Sequence, residues 1–188
     1  MSLFQVLRAD ISRQYHFAGT PKPSYSNLDV LKGLLSPRFV PVVLFRLSHW
    51  SATHHLRPVG KLFSLLNFVL FGLEIGQDCE IGPGLYFPHT SGTVIGAKRI
   101  GSNAVIYHNV TVGAKFPDLA YDQNVRPEIG DDVLLGSGAK VLGPIHIGHG
   151  SIVAANAVVV HDIPPESLVT GIPGKASAKK ASPDPVVE

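Results

Sequence analysis

The feature that most constrains this chain is an aliphatic residue that returns every six positions between residues 129 and 164. An α-helix repeats at about 3.6 residues and a flat strand at about 2, so neither element explains a strict period of six. Six is the repeat of the parallel β-helix, in which each hexad forms one short side of a three-sided coil and its aliphatic residue points to the axis. The pattern therefore predicts a mainly β fold. The recurring residues are Ile129, Leu135, Val141, Ile147, Val153 and Val159.

The period begins well before these hexads and is interrupted twice. It starts at Ile75, and one additional residue shifts its phase between Phe87 and Val94. Residues 114–127 then break the pattern, and we interpret them as a loop ejected from the coil, because long loops on rigid scaffolds tend to carry function. With three hexads to a coil, residues 73–175 are predicted to form about five coils.

The two ends of the chain do not follow the period. Residues 1–72 are predicted to form a short helical region, in which residues 1–15 and about 27–34 are typical of short helices separated by a loop rich in Pro and Ser. A further, partly buried helix is predicted after Pro41. At the other end, residues 176–188 are predicted to form a basic, disordered tail.

The stretch that follows Pro58 is strongly apolar for about a dozen residues, which is short of the roughly 20 that span a bilayer. We expect this stretch to form a helix that packs on the base of the coil or on a partner subunit. A peripheral contact of residues 61–75 with a membrane interface is the alternative.

Composition and charge exclude several classes of protein. A net charge of +2 is too small for a nucleic-acid surface. The single cysteine, Cys79, cannot form an internal disulfide framework, and we interpret it as a small core residue rather than a catalytic thiol. The N-terminus lacks the long apolar core of a signal peptide. We therefore expect a cytoplasmic protein, with the inner face of the membrane as the alternative.

A single β-helical column buries only a narrow core and leaves three flat faces. Side-by-side packing of three columns covers those faces, so we expect a homotrimer or a dimer of trimers. A closed cyclic trimer also leaves clefts between neighbouring subunits, where small molecules can bind.

Two histidines are predicted to share one edge of the coil. His89 and His108 each occupy the third position of a hexad, and they are 19 residues apart, which is one coil of 18 plus the inserted residue. We interpret His89 as a candidate general base and His108 as a residue that lines the cleft or orients the other ring. Glu74, 15 residues before His89, could fix the tautomer of that ring and stabilise the imidazolium.

Several motifs resemble the serine acetyltransferase family and the related colanic-acid-type acetyltransferases of polysaccharide gene clusters. These motifs are LEIGQDCEIGPGLYFPHTSGTVIG, NVTVGA, RPEIGDDVLLGSGAKVLGPIHIG and VTGIPGK, with FRLSHW upstream, and the resemblance covers about residues 40–175. It implies a left-handed β-helix, a trimer-based assembly, acetyl-CoA as the acetyl donor and a His general base. The base of the family maps to His89 in PHTSG, and its partner, an Asp in the family, maps to Glu74.

The resemblance also implies where coenzyme A would bind. The pantetheine arm is expected along a groove of small residues that lets it approach the backbone, and lysines in the later coils could meet its phosphates. The residues predicted to bind the cofactor are Gly136, Ser137, Gly138, Lys140, Ala154, Ala155 and Lys175.

The acceptor side departs from the family pattern. Where serine acetyltransferases have Asp-His, this chain has Pro88-His89, and where they have Arg-His-Pro, it has Val125-Arg126-Pro127. We therefore expect an O-acetyltransferase whose acceptor is a sugar hydroxyl of a polysaccharide precursor, with L-serine as the alternative. Arg126 could still hold an anionic acceptor through a bidentate contact.

Two further functions remain as alternatives. A γ-type carbonic anhydrase uses the same kind of coil, but it needs three histidines around zinc with an open fourth position, and here the close pair lies on one edge. We expect no metal site. The other alternative is a trimeric scaffold without catalytic activity.

Overall fold

The computed structural model describes residues 1–118 and 120–179, so the part of the predicted tail beyond residue 179 lies outside the described residues. Four helices precede the first strand. Helix α1 begins with a capping box, in which the Ser2 hydroxyl accepts from the Gln5 amide and the Gln5 side chain accepts from the Ser2 amide. Helix α4 ends at Gly72, whose φ of 60° places it in the left-handed region that glycine adopts without strain. The helices are α1 Leu3–Phe17, α2 Asn27–Gly33, α3 Val40–Thr53 and α4 Arg57–Phe71.

Short strands follow the helices in the described part of the chain. A 3₁₀ turn, Gln123–Val125, lies in the long loop between β6 and β7. The strands are β1 Leu73–Ile75, β2 Glu80–Ile81, β3 Thr93–Ile95, β4 Arg99–Ile100, β5 Val105–Ile106, β6 Thr111–Gly113, β7 Glu128–Ile129, β8 Leu134–Leu135, β9 Lys140–Leu142, β10 His146–Ile147, β11 Ile152–Val153, β12 Val158–Val159, β13 Ser167–Thr170 and β14 Lys175–Ala178.

From β3 to β12, consecutive strands lie in three different sheets in turn, which makes the three-sided coil that we call the prism. Sheet A has the order β1-β3-β6-β9-β12, sheet B the order β10-β7-β4-β2, and sheet C the order β14-β13-β11-β8-β5. Paired strands other than β13 and β14 are parallel, and Leu134 of β8 pairs with Ile152 of β11, 18 residues further on. The parallel sheets after a short helical region confirm the predicted class of fold, while the sense of winding and the number of coils stay predictions.

The predicted position of the period at Val94 is wrong by one residue. Val94 is 40% exposed, whereas its neighbour Ile95 is 1% exposed and pairs with Ile75 of β1.

Elsewhere the aliphatic residue of each hexad points into the prism. Leu135, Val141 and Ile147 are at most 1% exposed, as the period of six predicted. Cys79 also lies in this core and is fully buried. Burial raises the pKa of its thiol to about 12, so the thiolate is strongly disfavoured at neutral pH.

The predicted start of the disordered tail is wrong. Residues 175–178 form β14, which pairs antiparallel with β13, so that Val169 lies opposite Ala176. All four residues of this strand are exposed, and they show neither alternation of burial nor the period of six. The strand forms instead because β13, at the edge of sheet C, has free backbone N–H and C=O groups with which β14 can pair.

A buried ion pair joins the helices to the prism. The Asp10 carboxylate of α1 accepts two hydrogen bonds from the Arg46 guanidinium of α3, at 2.9 and 3.0 Å. The same carboxylate accepts from the amides of Gly84 and Leu85 at 2.8 and 2.9 Å. Arg46 also donates to carbonyl oxygens of the prism at 2.6 and 2.7 Å, so both charges are compensated.

Helix α4 packs against α3 and leaves an apolar face exposed. Its Asn67 donates a 2.9 Å hydrogen bond to the Pro41 carbonyl, and Ser64 and Ser48 share another of 2.8 Å. Leu62, Leu65, Phe68, Val69 and Leu70 are each more than half exposed. Within the described residues, no helix combines the length and the apolar character needed to cross a bilayer.

Candidate active site

The two histidines meet at one corner of the prism, where the chain turns from sheet C to sheet A. His89 follows the buried Phe87, and His108 follows β5 one coil further on. Their ring centroids are 5.7 Å apart and the rings stand edge to face at 86°. His89 is exposed and His108 is half-buried. The spacing of 19 residues predicted this shared edge, and the structure places both imidazoles there.

Backbone hydrogen bonds stack the successive turns of this corner. The Asn109 amide donates to the Ser91 carbonyl at 3.0 Å, and the Gly138 amide donates to the His108 carbonyl at 3.0 Å. The His108 ring lies 3.4 Å from the Ser137 hydroxyl, measured from Nδ1 to Oγ. The turns at this corner therefore stack regularly along the axis of the prism, which fixes the positions of the two histidines relative to one another.

His89 opens into a cleft between this corner and the helical region. The cleft has a volume of about 510 Å³. The Thr90 hydroxyl donates to the Phe71 carbonyl at 2.9 Å, which fixes the turn after His89 against the end of α4. We call this site the His89 cleft. It is lined by Pro37, Arg38, Leu70, Phe71, Gly72, Phe87, Pro88, His89, Thr90 and Ser91.

Arg38 is a cleft residue that the sequence analysis missed. Its Nε donates a 3.1 Å hydrogen bond to the carbonyl oxygen of Pro88, the residue before His89. The two residues are 50 positions apart in the chain, and Arg38 lies in the helical region, outside the periodic part of the sequence. No spacing or motif could therefore have connected Arg38 with the histidines.

Glu74 lies on the outer, exposed surface of β1. The turn after His89 is joined to the residue before β1, because the Gly92 amide donates to the Gly72 carbonyl at 2.9 Å. Among the described residues, however, the Glu74 carboxylate forms neither a hydrogen bond nor an ion pair with His89. The role of Glu74 as the partner of His89 stays a prediction.

Arg126 holds the long loop to the prism at a different corner, where the chain turns from sheet A to sheet B. Its guanidinium is buried, donates to the Gly96 carbonyl at 2.9 Å and pairs with the Asp118 carboxylate at 2.7 Å. It also lies over the Tyr121 ring, 3.7 Å from the centroid. The structure thus gives Arg126 a structural role within its own chain, and its predicted contact with an acceptor stays a prediction.

Tyr121 is the second anchor of this loop. Its hydroxyl donates to the Ala97 carbonyl at 2.9 Å, and burial raises the pKa of the phenol. The ring packs where Gly76 leaves room, because a Cβ at that position would lie 2.5 Å from the ring. The described part of the loop, residues 114–118 and 120–127, is therefore folded back on the prism.

Most of the residues predicted to bind coenzyme A lie at the same corner as the histidines. Gly136, Ser137 and Gly138 follow β8, and Ala154 and Ala155 follow β11, so both groups turn from sheet C to sheet A. Stacking alone already requires glycine at position 136, because a Cβ there would lie 2.7 Å from the backbone nitrogen of Ala155 in the next coil.

The two predicted lysines have different surroundings. Lys140 begins β9, and its ammonium donates to the Asn109 carbonyl in the same corner column. Lys175 begins β14 and is exposed. Contacts of these lysines with coenzyme A stay predictions. In residues 1–118 and 120–179, no three His, Cys, Asp or Glu side chains come close enough to hold a metal ion.

Comparison with known proteins identifies the family of the chain. The family model described as "Bacterial transferase hexapeptide (six repeats)" matches residues 126–161. A serine acetyltransferase of Mycobacterium tuberculosis is 38% identical over 131 residues, which are 69% of this chain and 56% of that protein. A serine acetyltransferase of Helicobacter pylori is 36% identical over 149 residues, which are 78% of this chain and 84% of that protein.

Comparison with solved structures indicates the same family. The crystal structure of the Brucella abortus serine acetyltransferase in complex with coenzyme A matches with a TM-score of 0.78 at 27% identity, over 94% of this chain and 68% of that one. This chain therefore shares more than a third of its aligned residues with curated serine acetyltransferases. The same chain contains the hexapeptide prism and the corner with the paired histidines. The chain belongs to the serine acetyltransferase family.

Proposed function

We propose that this protein is an acetyl-CoA-dependent O-acetyltransferase in which His89 is the general base. The observation that carries the proposal is the position of His89: an exposed imidazole in a cleft, edge to face with a second imidazole, on the same corner as a column of small residues. Its relatives are named serine acetyltransferases, and one of them is known in complex with coenzyme A.

The reaction proposed is a direct transfer. A ring nitrogen of His89 takes the proton of an acceptor hydroxyl while the hydroxyl oxygen attacks the thioester carbonyl carbon. A backbone N–H near the corner stabilises the negative charge that develops on the carbonyl oxygen. The carbon–sulfur bond then breaks, coenzyme A leaves as a thiolate, and the imidazolium returns the proton to it. The products are an O-acetyl ester and free coenzyme A.

L-serine is the first acceptor to test. The sequence alone favours a sugar hydroxyl, whereas the names of the relatives favour L-serine. The departures at Pro88 and Val125 remove groups that hold serine in the family pattern, so the sugar acceptor is kept as the second candidate.

We further propose that the active unit is a homotrimer. In one chain, His89 and the loop that contains Arg126 lie at different corners of the prism. Parallel packing of three columns around a three-fold axis brings unlike corners of neighbours together. The site would then combine the His89 corner of one subunit with the loop of the next.

The test is an acetyl-transfer assay on the purified full chain. Acetyl-CoA is incubated with L-serine or with candidate sugar precursors, and the release of free thiol is followed. We expect His89→Ala and His89→Asn to lower kcat by about 10²- to 10⁴-fold, the usual contribution of a general base. Light scattering checks that the variants keep the assembly of the wild type.

His161→Ala is the matched control, because His161 is an exposed histidine outside the His89 cleft. This variant should keep wild-type turnover. Near-normal transfer by His89→Ala, or a loss shared equally by His161→Ala, would contradict the role proposed for His89.

A further inference from the structure

We propose that Arg38 determines acceptor specificity by binding a carboxylate of the acceptor in the His89 cleft. This inference rests on the proposed function, since it concerns the acceptor of the same reaction. It assigns the acceptor class as a small hydroxy acid, of which L-serine is one member and its deaminated analogue, 3-hydroxypropanoate, is another.

The charge of the cleft supports this assignment. Among the described residues that line it, Arg38 alone carries a formal charge at pH 7 when His89 is neutral. No Asp or Glu lines the cleft in this part of the chain. The unbalanced charge therefore favours an anion, and a guanidinium can hold a planar carboxylate through two parallel hydrogen bonds.

The orientation of Arg38 also fits this role. Its Nε is used in the 3.1 Å hydrogen bond to the Pro88 carbonyl. The two terminal amino groups form no hydrogen bond and no ion pair in residues 1–118 and 120–179, and the side chain is exposed. Four N–H donors thus remain for a ligand, and the bond to Pro88 fixes one edge of the guanidinium next to His89.

The position of Arg38 relative to His89 explains what a contact between Arg38 and the acceptor carboxylate would do. The carbonyl that anchors Arg38 belongs to the residue immediately before His89, so the cation and the imidazole are held by the same turn. A short hydroxy acid whose carboxylate binds Arg38 would keep its hydroxyl near His89. Binding of this kind lowers KM and contributes little to kcat once the acceptor is bound.

The differences from the family pattern at the acceptor side are consistent with a carboxylate-binding role for Arg38. The position where the family pattern has an Asp is Pro88, and the buried Arg126 is occupied by Asp118 in its own loop. Arg38 is therefore a second source of positive charge, reached from the helical region rather than from the loop.

The experiment compares acceptors and variants in the full chain. L-serine and 3-hydroxypropanoate keep the carboxylate, whereas L-serinamide lacks it. For Arg38→Ala we expect KM to rise about 10- to 100-fold for both carboxylate acceptors, the usual range for a charged hydrogen-bonded pair, with kcat changed less than about threefold. KM for L-serinamide should be equal in wild type and variant, and Arg38→Lys should recover part of the loss.

Two controls distinguish binding of the acceptor carboxylate from other roles of Arg38. KM for acetyl-CoA should not change in Arg38→Ala, because a change there would assign Arg38 to the phosphates of coenzyme A and overturn the inference. Arg99→Ala removes an exposed arginine on sheet B and should leave all constants at wild-type values.

A binding measurement tests the role of Arg38 independently of turnover. Equilibrium dialysis of labelled L-serine is carried out with His89→Ala and with the double variant His89→Ala/Arg38→Ala. Weaker binding by the double variant supports the inference even if turnover is undetectable. Equal binding, or none to either protein, overturns it. Full activity of Arg38→Ala together with inactive His89→Ala would overturn the role of Arg38 and leave the proposed function standing.

Discussion

Asp10 and Arg46 form a bidentate ion pair that is almost completely shielded from solvent, with side-chain exposures of 0% and 5%. The two residues are 36 positions apart in the chain and join α1 to α3, and both also bond to the backbone of the prism. The helical region is therefore attached to the β-helix through charged groups whose removal leaves the opposite charge buried.

We expect Asp10→Ala to be strongly destabilising. The Arg46 guanidinium would remain buried without its counter-ion, which typically costs about 3–5 kcal/mol. Urea unfolding followed by circular dichroism measures the change. Asp78→Ala is the control, because Asp78 pairs with Arg57 at the surface, with side chains 39% and 54% exposed. It should change stability by less than about 1 kcal/mol, and equal effects of the two variants would contradict the prediction.

Cys79 should make the protein less stable in alkali. Its thiol has a pKa of about 12 in the folded chain, against 9.0 for an exposed thiol. Between these values the unfolded chain has lost the proton that the folded chain keeps, so the unfolded state binds fewer protons and stability falls as pH rises. Below pH 9 the thiol has no such effect.

The comparison that tests this is Cys79→Ala. In urea unfolding between pH 9 and pH 11, the wild type should lose up to about 1.4 kcal/mol per pH unit more than the variant. Parallel slopes for the two proteins would show that the thiol titrates normally. At pH 8 the native wild type should also resist thiol reagents that label the unfolded chain at once.

Gly76 should be needed for the docking of the long loop. A Cβ at Gly76 would lie 2.5 Å from the Tyr121 ring, so Gly76→Ala must displace that ring and lose its hydrogen bond to Ala97. We expect a destabilisation of about 1–3 kcal/mol and faster tryptic cleavage after the exposed Lys115.

Gly113→Ala is the matched control for this change. Gly113 lies at the start of the same loop, and a Cβ there would meet no atom within 4 Å. Its stability should remain within about 0.5 kcal/mol of the wild type. If Gly76→Ala leaves the rate of cleavage unchanged, Tyr121 is not the anchor of the loop.

His108 should affect turnover less than His89. It touches the other ring edge to face and lies 3.4 Å from the Ser137 hydroxyl, so it is placed to position His89 rather than to accept the proton. We expect His108→Ala to lower kcat by about tenfold, since misplacing a base loses only part of its effect. A kcat loss as large as that of His89→Ala would assign proton transfer to both histidines.

The part of the fold that follows the period of six could be predicted in detail. The buried positions of Leu135 and Val141 follow from the repeat, and so does the meeting of His89 and His108, because one coil plus one inserted residue fixes their relative height. Both are consequences of a regular translation along one axis. Nothing beyond the spacing was needed to derive them.

The contacts that were missed join segments that no repeat relates. Arg38 reaches Pro88 across 50 residues, and Arg126 turns inward to Asp118 because the loop folds back on the prism. The strand β14 depends on an edge that exists only once β13 is in place. Each depends on tertiary packing, for which the local sequence contains no periodic signal.

After the long loop, β7, β8 and β9 each pair with the strand 18 residues further on, which makes this part of the β-helix modular. Removal of one complete turn would return every remaining aliphatic residue to the axis, whereas removal of one residue within a strand would rotate all later side chains by one place. Tolerated changes in length should therefore concentrate at the corners, where residues 114–127 already leave the prism and rejoin it in register.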